Sequence, residues 1–267
     1  MGRIKVRQME EKIIKPETYI ALDIYAWDQI KDFLSEKKSD FLHDTAEKLQ
    51  FWKLKDEQIG ITKKEKIYKP VWLIKAYYEC IYLRDTIYRL KVDDNVIESN
   101  KGDEKLEVKK STEGSNFVII PGIVEKVKVY NENKFQIIDY EHKEKIKEKG
   151  MLGIFGGKEK TQKLNLSEIK TEKTESVTQY CNEHVDPGFK FRTINPSRTP
   201  EVIVEKAKEK IILHPTDAKE ILKEEFCITD FKLIFCPFYY VELESSLGKK
   251  ASVEIDALTK EYMHERF

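Results

Sequence analysis

The chain has 267 residues, of which 40% are hydrophobic and 11% aromatic, and its 48 basic side chains balance 48 acidic ones. This apolar content is enough to offset the conformational entropy of folding, so wholesale disorder is excluded. The zero net charge gives no global field that would attract nucleic acid or anionic lipid, so any such site must be local. The abundance of Lys and Glu with only 11 Gly suits a heat-adapted source.

The N-terminal sequence and the cysteines bear on the cellular compartment. The first residues, MGRIKVRQME, contain no apolar h-region, and no uncharged apolar run approaches the roughly 20 residues that cross a bilayer. The four cysteines are Cys80, Cys181, Cys227 and Cys236. They form no CxxC pair, which favours buried free thiols over a metal or redox motif. We therefore expect a cytoplasmic protein without a membrane span.

Changes in composition divide the chain into four segments. Two segments with helical and strand-like patterns flank a stretch that is rich in charge. The segments are an N-terminal arm (1–16), a first module (17–100), a linker with a small β insert and a charged, glycine-containing stretch (101–195), and a second module (196–267). A chain of this length is typical of two domains or of one domain enlarged by an insertion.

In the first module, the spacing of apolar residues predicts two helices followed by a β-hairpin. The helical stripes are Trp27, Ile30 and Leu34, and then Phe41, Thr45, Leu49 and Trp52. The run Ile67–Ile74 is typical of a strand, in which Pro70 marks an edge, a strand start or a bulge. The second strand of the hairpin is expected to end at Asp93, where an acidic side chain suits a turn.

The middle of the chain predicts a polar linker and a small β unit. Residues 98–115 are charged and lack an apolar period, which favours a solvated linker. Three strands are then expected at Phe117–Ile120, Ile123–Tyr130 and Lys134–Asp139, with turns at Pro121–Gly122 and 131–133. Residues 140–178 combine a charged helix, a glycine cluster and another charged stretch.

The second module is interpreted as a diverged copy of the first. Ile67–Ile74 matches Ile234–Val241 without a gap at an offset of 167. Its helices are predicted from Thr199–Pro200 onward and from the stripe Ala218, Ile221, Leu222 and Phe226. The repeat pairs Pro70 with Pro237, Trp72 with Tyr239, Asp93 with Asp256, and His43 with His214. The predicted fold is therefore α+β, with two homologous helix-helix-β-hairpin modules of antiparallel strands and a small β insert between them.

The end of each module carries a family resemblance. The strands LKVDDNVIES and VEIDALTKEY close on Asp93–Asp94 and Asp256. A helix and a hairpin that ends in an apolar strand, Asp, a small residue and a turn is similar to the PepSY-type module of protease propeptides and membrane-associated proteins. The resemblance covers about the last 70 residues, and Lys260 stands where that pattern usually has Gly. PepSY modules are generally extracytoplasmic, and no function is carried over from them.

Three motifs invite a catalytic or metal-binding interpretation, and each has a simpler one. Gly150–Lys158 lacks the spacing of a phosphate loop, which favours a hinge whose Met151, Leu152, Ile154 and Phe155 form a docking tag. Asp139, Glu141 and Lys143 match the ending of metal-dependent nucleases, but no partner carboxylate precedes them, which favours a solvated strand end. Cys181 and His184 form half of a zinc site without the other half.

The remaining candidates are histidines and aromatics. His43 and His214 recur in Leu-His-x-Thr, which duplication explains more simply than paired catalytic bases. A base-stacking surface is the alternative to a core role for the aromatic strands. Its candidate residues are Tyr77, Tyr78, Lys75, Arg89 and Tyr240.

No convergent set of acids, bases or metal ligands emerges, so no catalytic residue, metal or cofactor is assigned. The leading hypothesis is a non-enzymatic interaction or scaffold protein whose partner is another protein, because duplicated modules present exposed strand edges. A nucleic-acid-binding accessory protein is the alternative, supported by Lys clusters near aromatic strands. A metal-dependent nuclease that uses Asp139, Glu141 and Lys143 is the second alternative.

Overall fold

The structure is a computed structural model, which describes residues 8–43, 58–112, 114–140 and 166–267. It is mostly β, with 54% strand and 17% helix, and its described residues contain three α-helices and a mixed ten-stranded sheet. The expected α+β fold of two helix-helix-β-hairpin modules is therefore wrong.

The strands differ widely in length. They are β1 (Glu10–Lys12), β2 (Glu17–Ala21), β3 (Ile59–Lys91), β4 (Ser99–Lys101), β5 (Glu104–Leu106), β6 (Val108–Lys110), β7 (Asn116–Ile138), β8 (Thr171–Lys173), β9 (Lys190–Thr193), β10 (Glu220–Ser245), β11 (Lys250–Asp256) and β12 (Tyr262–Arg266). The helices are α1 (Trp27–Leu42), α2 (Val177–His184) and α3 (Pro200–Ile211), and Leu166–Glu168 form a 3-10 turn.

The large sheet is built on three long strands. Its order is β12-β11-β10-β3-β7-β6, while β1 and β2 pair with β10, β8 with β2, and β9 with β3. Ser246 N donates to Gln58 O at 2.8 Å and Thr62 Oγ1 donates to Glu242 O at 3.3 Å. These bonds show that β3 and β10 run antiparallel, because the numbering falls on one strand as it rises on the other.

The described residues group into two compact units. Unit 1 takes the described parts of Met1–Ile14, Lys75–Asn133 and Glu205–Thr229, and unit 2 takes those of Lys15–Ile74, Lys134–Val204 and Asp230–Phe267. In unit 2, α1 packs Ile30, Leu34 and Phe41 into a core that includes Val253 and Ile255 of β11. In unit 1, alternate residues of β3 from Ala76 to Tyr82 are buried, as expected of a strand with one covered face.

The predicted hairpin of the first module does not exist. Ile67–Ile74 and Leu90 belong to the same strand, β3, which continues through the region where a turn was expected. Between Lys75 and Lys91 the sequence contains no Gly, Pro or Asn that would favour a tight turn. Two strands were therefore predicted where β-branched and aromatic residues sustain one.

The predicted helix at Ala218–Phe226 is also wrong, because β10 begins at Glu220 and continues through this stretch. The apolar residues of this short stretch fit both a helical and a strand periodicity, and pairing with β3 stabilises the strand. The two predicted turns of the middle region lie inside β7, in which Gly122 takes a φ of +73° that favours glycine. The predicted linker contains the β4–β5 hairpin and β6.

Two predicted helices are confirmed. α1 contains the stripe around Trp27 and Ile30, and α3 begins at Pro200, as the Thr199–Pro200 signal indicates. Most of the second predicted helix of the first module, from residue 44 onward, lies outside the described residues.

The two proline segments share a local pairing pattern within unit 2. β9 pairs in parallel with Glu65–Tyr68, and β2 pairs in parallel with Lys232–Phe235, which lie 167 positions later. Pro70 O accepts the N–H of Asp139 at 3.1 Å, and Pro237 O accepts that of Ala257 at 3.1 Å. Asp139 and Ala257 each follow directly on a strand, β7 and β11 respectively. The prolines therefore have comparable backbone settings, although the modules built around them were predicted wrongly.

Candidate functional site

Asp139 is the acceptor of a buried hydrogen-bond network in unit 2. Its Oδ2 accepts from Trp72 Nε1 at 3.0 Å and from the Arg198 backbone N–H at 3.1 Å. Its Oδ1 accepts from Ser197 Oγ at 2.6 Å, and Arg198 Nη1 lies 3.2 Å away. Burial raises the pKa of Asp139, but the hydrogen bonds from Ser197, Trp72 and Arg198 outweigh it and hold the pKa below its usual value.

This network gives Asp139 a structural setting. Its side chain is fully buried and both of its oxygens are bonded. The other two residues of the nuclease hypothesis, Glu141 and Lys143, lie outside the described residues, as do Gly150–Lys158 and the docking-tag residues within it.

Tyr239, which the sequence comparison aligned with Trp72, is held by a different carboxylate of unit 2. Its hydroxyl donates to Asp23 Oδ2 at 2.7 Å, and Lys66 Nζ forms an ion pair with the same oxygen at 2.7 Å. Burial raises the pKa of Tyr239 well above its usual value. Trp72 and Tyr239 therefore both direct a polar atom to a carboxylate from another part of the chain.

Asp93 and Asp256 make the same local turn contact. Asp93 Oδ1 accepts the N–H of Asn95 at 2.9 Å, and Asp256 Oδ1 accepts that of Leu258 at 2.8 Å. Burial raises the pKa of Asp256 to about 6. In the turn that follows, Lys260 takes a φ of +60°, a conformation that favours glycine.

The two histidines have unlike surroundings. His43 is buried in unit 2, where Lys249 Nζ lies 3.1 Å from its Nδ1 and Arg266 donates to its carbonyl. His214 in unit 1 has an exposed side chain, whose Nδ1 lies 3.1 Å from Glu224 Oε1. These contacts place no Ser or Cys nucleophile beside either ring.

Two of the candidate stacking residues, Tyr77 and Tyr78, do not share a surface of unit 1. Tyr77 and Tyr78 lie on opposite faces of β3, as successive strand residues must. Tyr78 is fully buried and donates to Glu224 at 2.8 Å. Tyr77 stacks on Tyr130 of β7 with centroids 5.7 Å apart, whereas Tyr240 belongs to unit 2.

The face of unit 1 that carries Tyr77 also carries several ion pairs. Lys75 pairs with Glu132 at 2.7 Å, and Glu79 lies between Lys128 at 2.5 Å and Lys223 at 2.7 Å. Hydrogen bonds from Lys223, Lys12 and Tyr77 lower the pKa of Glu225 to about 2. Lys75, Lys128 and Lys223 on this face are therefore each paired with a carboxylate.

The described residues contain neither a candidate metal site nor a membrane-spanning helix. Among them, no group of three or more His, Cys, Asp or Glu side chains is arranged to hold a metal ion. Cys181 is buried in α2, whereas the Nδ1 of His184 contacts the carbonyl of Tyr180 at 2.9 Å. None of the described helices has the length and apolarity to span a bilayer.

The feature that sequence reasoning missed is an open strand edge at the end of β3. Lys219, the residue before β10, donates its backbone N–H to Leu83 O at 2.7 Å. Beyond Leu83, β3 continues to Lys91, and Val92 N donates to Asn116 O of β7 at 3.0 Å. Among the residues that the structure describes, no strand lies on the other side of Asp85–Lys91. We call residues 85–91 the open edge.

The open edge presents both backbone groups and apolar side chains. Because backbone groups alternate in direction along a strand, Asp85, Ile87, Arg89 and Lys91 direct their N–H and C=O away from β7. The side chains of Ile87, Tyr88 and Leu90 are 61%, 44% and 50% exposed. Tyr88 is held in place by its hydroxyl, which donates to Glu125.

β10 offers a contrast because its outer edge is covered by short strands. β1 pairs with Glu225–Cys227, β2 with Lys232–Phe235, and β11 with Phe238–Glu244. Unpaired edges promote unwanted association, so covering them is the usual arrangement in folded proteins. The sequence carried no signal for the open edge, because the run Thr86–Lys91 mixes apolar and polar residues as a covered strand does.

In comparisons with known proteins, no family model, no curated protein and no solved structure matches the chain. The geometry of the described residues therefore supplies the argument for function.

Proposed function

We propose that this chain is a non-enzymatic protein-interaction protein that binds its partner by accepting a partner strand at the open edge. The supporting observation is the set of outward backbone groups of Asp85–Lys91 beside the exposed side chains of Ile87, Tyr88 and Leu90. Strand addition of this kind draws affinity from main-chain hydrogen bonds and specificity from alternate side chains.

The charges along the open edge favour specific over indiscriminate pairing. Asp85 carries an ion pair with Lys219 at 2.9 Å, and Arg89 lies over the Phe117 ring at 5.6 Å. Charged side chains on an edge suppress random aggregation because a partner strand must match them. The cytoplasm is the compartment we propose, since four free cysteines suit reducing conditions.

The proposal is tested by removing one outward N–H. Ile87→Pro deletes a donor that faces away from β7, so the β3–β7 hydrogen bonds are retained, and Ile87→Ala is the matched control with its N–H intact. Displayed random peptides are selected on the wild-type chain and then titrated against both variants. Binding that is lost with Pro and kept with Ala is expected, and equal binding by all three proteins contradicts the proposal.

A second candidate, single-stranded nucleic-acid binding, is favoured by the Tyr77–Tyr130 stack, in which Tyr130 is 53% exposed. Exposed aromatic faces stack on bases of any sequence. The test is the anisotropy of labelled single-stranded DNA and RNA over a salt series, with Tyr130→Ala as the variant. Salt-sensitive binding that this substitution weakens supports the candidate, and no binding at low salt removes it.

A further inference from the structure

The residues of the open edge have a charge order that suggests what covers it. An acidic residue, Asp85, stands at the start, and two basic residues, Arg89 and Lys91, stand at the end. Lys91 is exposed, and the exposed carboxylate of Asp85 also forms an ion pair with Lys219 at 2.9 Å. A strand that runs antiparallel to this edge and carries the same order would place opposite charges beside each other.

We infer that the strand that completes the open edge is the open edge of a second copy of this chain, paired antiparallel about a twofold axis at Tyr88. This inference rests on the proposed function and names its partner. In this register Asp85 lies opposite Lys91 of the second copy, Ile87 lies opposite Arg89, and Tyr88 lies opposite Tyr88.

The backbone supports this register. Residues whose N–H and C=O face outward must lie opposite one another for an antiparallel pair to exchange hydrogen bonds. The outward residues are the odd-numbered ones, and the register pairs 85 with 91 and 87 with 89. Both edges together then form about eight inter-strand hydrogen bonds. A shift by one residue would set outward groups against inward ones and lose these bonds.

The side chains favour the antiparallel arrangement over a parallel one. An in-register parallel pair would place Asp85 beside Asp85 and Lys91 beside Lys91, and like charges that face each other destabilise a sheet. In the antiparallel pair, the Ile87 side chain lies against the stem of Arg89. A twofold contact also uses up both edges, so association stops at the dimer.

The first experiment measures the dissociation constant of the full-length dimer by sedimentation equilibrium. Wild type is expected to be dimeric, Ile87→Pro monomeric, and Ile87→Val unchanged, because valine keeps the N–H and the branched side chain. Circular dichroism and urea unfolding confirm that each variant is folded. A wild-type chain that stays monomeric up to about 100 µM, a range that covers weak specific association, overturns the inference.

A charge reversal tests the pairing itself. Asp85→Lys and Lys91→Asp should each raise the dissociation constant at least about tenfold, because each acts twice across the axis and creates a like-charge pair. The double variant Asp85→Lys, Lys91→Asp should restore it to within about threefold of wild type. Additive losses in the double variant contradict the register.

Disulfide trapping tests the position of the axis. Directly opposite residues bring their Cα atoms within disulfide range, so Tyr88→Cys should form a cross-linked dimer under mild oxidation. Leu90→Cys is the matched control, because its counterpart in the second copy lies about 13 Å away along the strand. Wild type under the same conditions accounts for the natural cysteines. Equal cross-linking of both variants overturns the proposed axis.

The outcomes separate this inference from the proposed function. A monomeric wild type whose selected peptides still bind, and bind in an Ile87-dependent manner, refutes the second copy as partner and keeps the interaction edge. A dimer that survives Ile87→Pro refutes the inference, since another surface then holds the two copies together. Loss of both dimer and peptide binding in wild type would refute the proposed function as well.

Discussion

The middle and the end of β3 differ in what packs against them. Residues 67–74 are buried at every position, whereas residues 87–91 are exposed at every position. Both stretches contain Ile, Tyr, Leu and Lys, so their composition does not explain the difference in burial. The comparison teaches that burial along a long strand is set by its neighbours. Among the described residues, β9, β10 and the residues after β7 lie beside the middle of β3, whereas β7 alone lies beside its end.

The largest effect is expected from Trp72→Ala in the buried stretch. This substitution removes a large side chain that is 2% exposed and deprives Asp139 of one donor. We expect a loss of about 3–5 kcal/mol in the free energy of unfolding, measured by urea denaturation. The matched change at the open edge, Leu90→Ala, should cost less than about 1 kcal/mol at low protein concentration. Similar losses at both sites would break the comparison.

Asp139→Ala is expected to rank second, at roughly 2–3 kcal/mol, because it leaves Trp72 Nε1 and Ser197 Oγ without their acceptor. The pKa of Asp139 is lowered in the folded protein. Its contribution to stability is therefore present above the unfolded value near 4 and is lost as pH falls through the folded pKa. The difference in unfolding free energy between wild type and variant should therefore become smaller as the pH is lowered below about 4. A difference that stays constant over this pH range would contradict the prediction.

Asp256 is expected to give stability the opposite pH dependence, because its pKa is raised in the folded protein. Its folded pKa of about 6 lies above the unfolded value near 4, so the folded state binds the extra proton and this group destabilises the fold as pH rises from 4 to 6. Asp256→Asn keeps the acceptor for Leu258 and removes the charge. We expect the variant to gain roughly 2 kcal/mol relative to wild type between pH 4 and pH 7. A stability difference that does not change with pH would show that folding does not raise the pKa of Asp256.

The smallest effect on folding is expected from Ile87→Ala. The side chain is 61% exposed, so the unfolding free energy of the protomer should change by less than about 0.5 kcal/mol. Differential scanning calorimetry at low concentration checks this value. A loss of more than about 1 kcal/mol would mean that an intramolecular contact covers the open edge. The end of β3 would then be buried like its middle.

Local signals located part of the fold correctly. Thr199–Pro200 correctly located the start of α3, because a threonine before a helix and a proline in its first turn act within a few residues. The Asx contacts of Asp93 and Asp256 are equally local. Of the candidate site residues, Pro70, Pro237 and Trp72 make hydrogen bonds that hold strand ends in place. Lys75 and Tyr77 lie on one face of unit 1.

Non-local pairing decided the rest. Ala218, Ile221, Leu222 and Phe226 suit a helix or a strand, and only the presence of β3 beside them selects the strand. The sequence repeat led to the prediction of two helix-hairpin modules. The pairing of distant strands, such as β2 with β10 and β9 with β3, has no signature in a sequence. The open edge was hidden for the same reason, because an uncovered strand and a covered one have the same alternation.

The sequence by itself determined a folded chain of balanced charge, the apolar stripe of α1, the start of α3, the turn contacts of two aspartates and free cysteines, since each depends on composition or on neighbours within a few residues. Tertiary structure alone decided that β3, β7 and β10 run unbroken and that Asp139 is buried with both oxygens bonded. It also decided that, among the described residues, Asp85–Lys91 has a neighbouring strand on one side, β7. These features depend on which distant segments meet, and the energy of such meetings is shared between residues far apart in the chain.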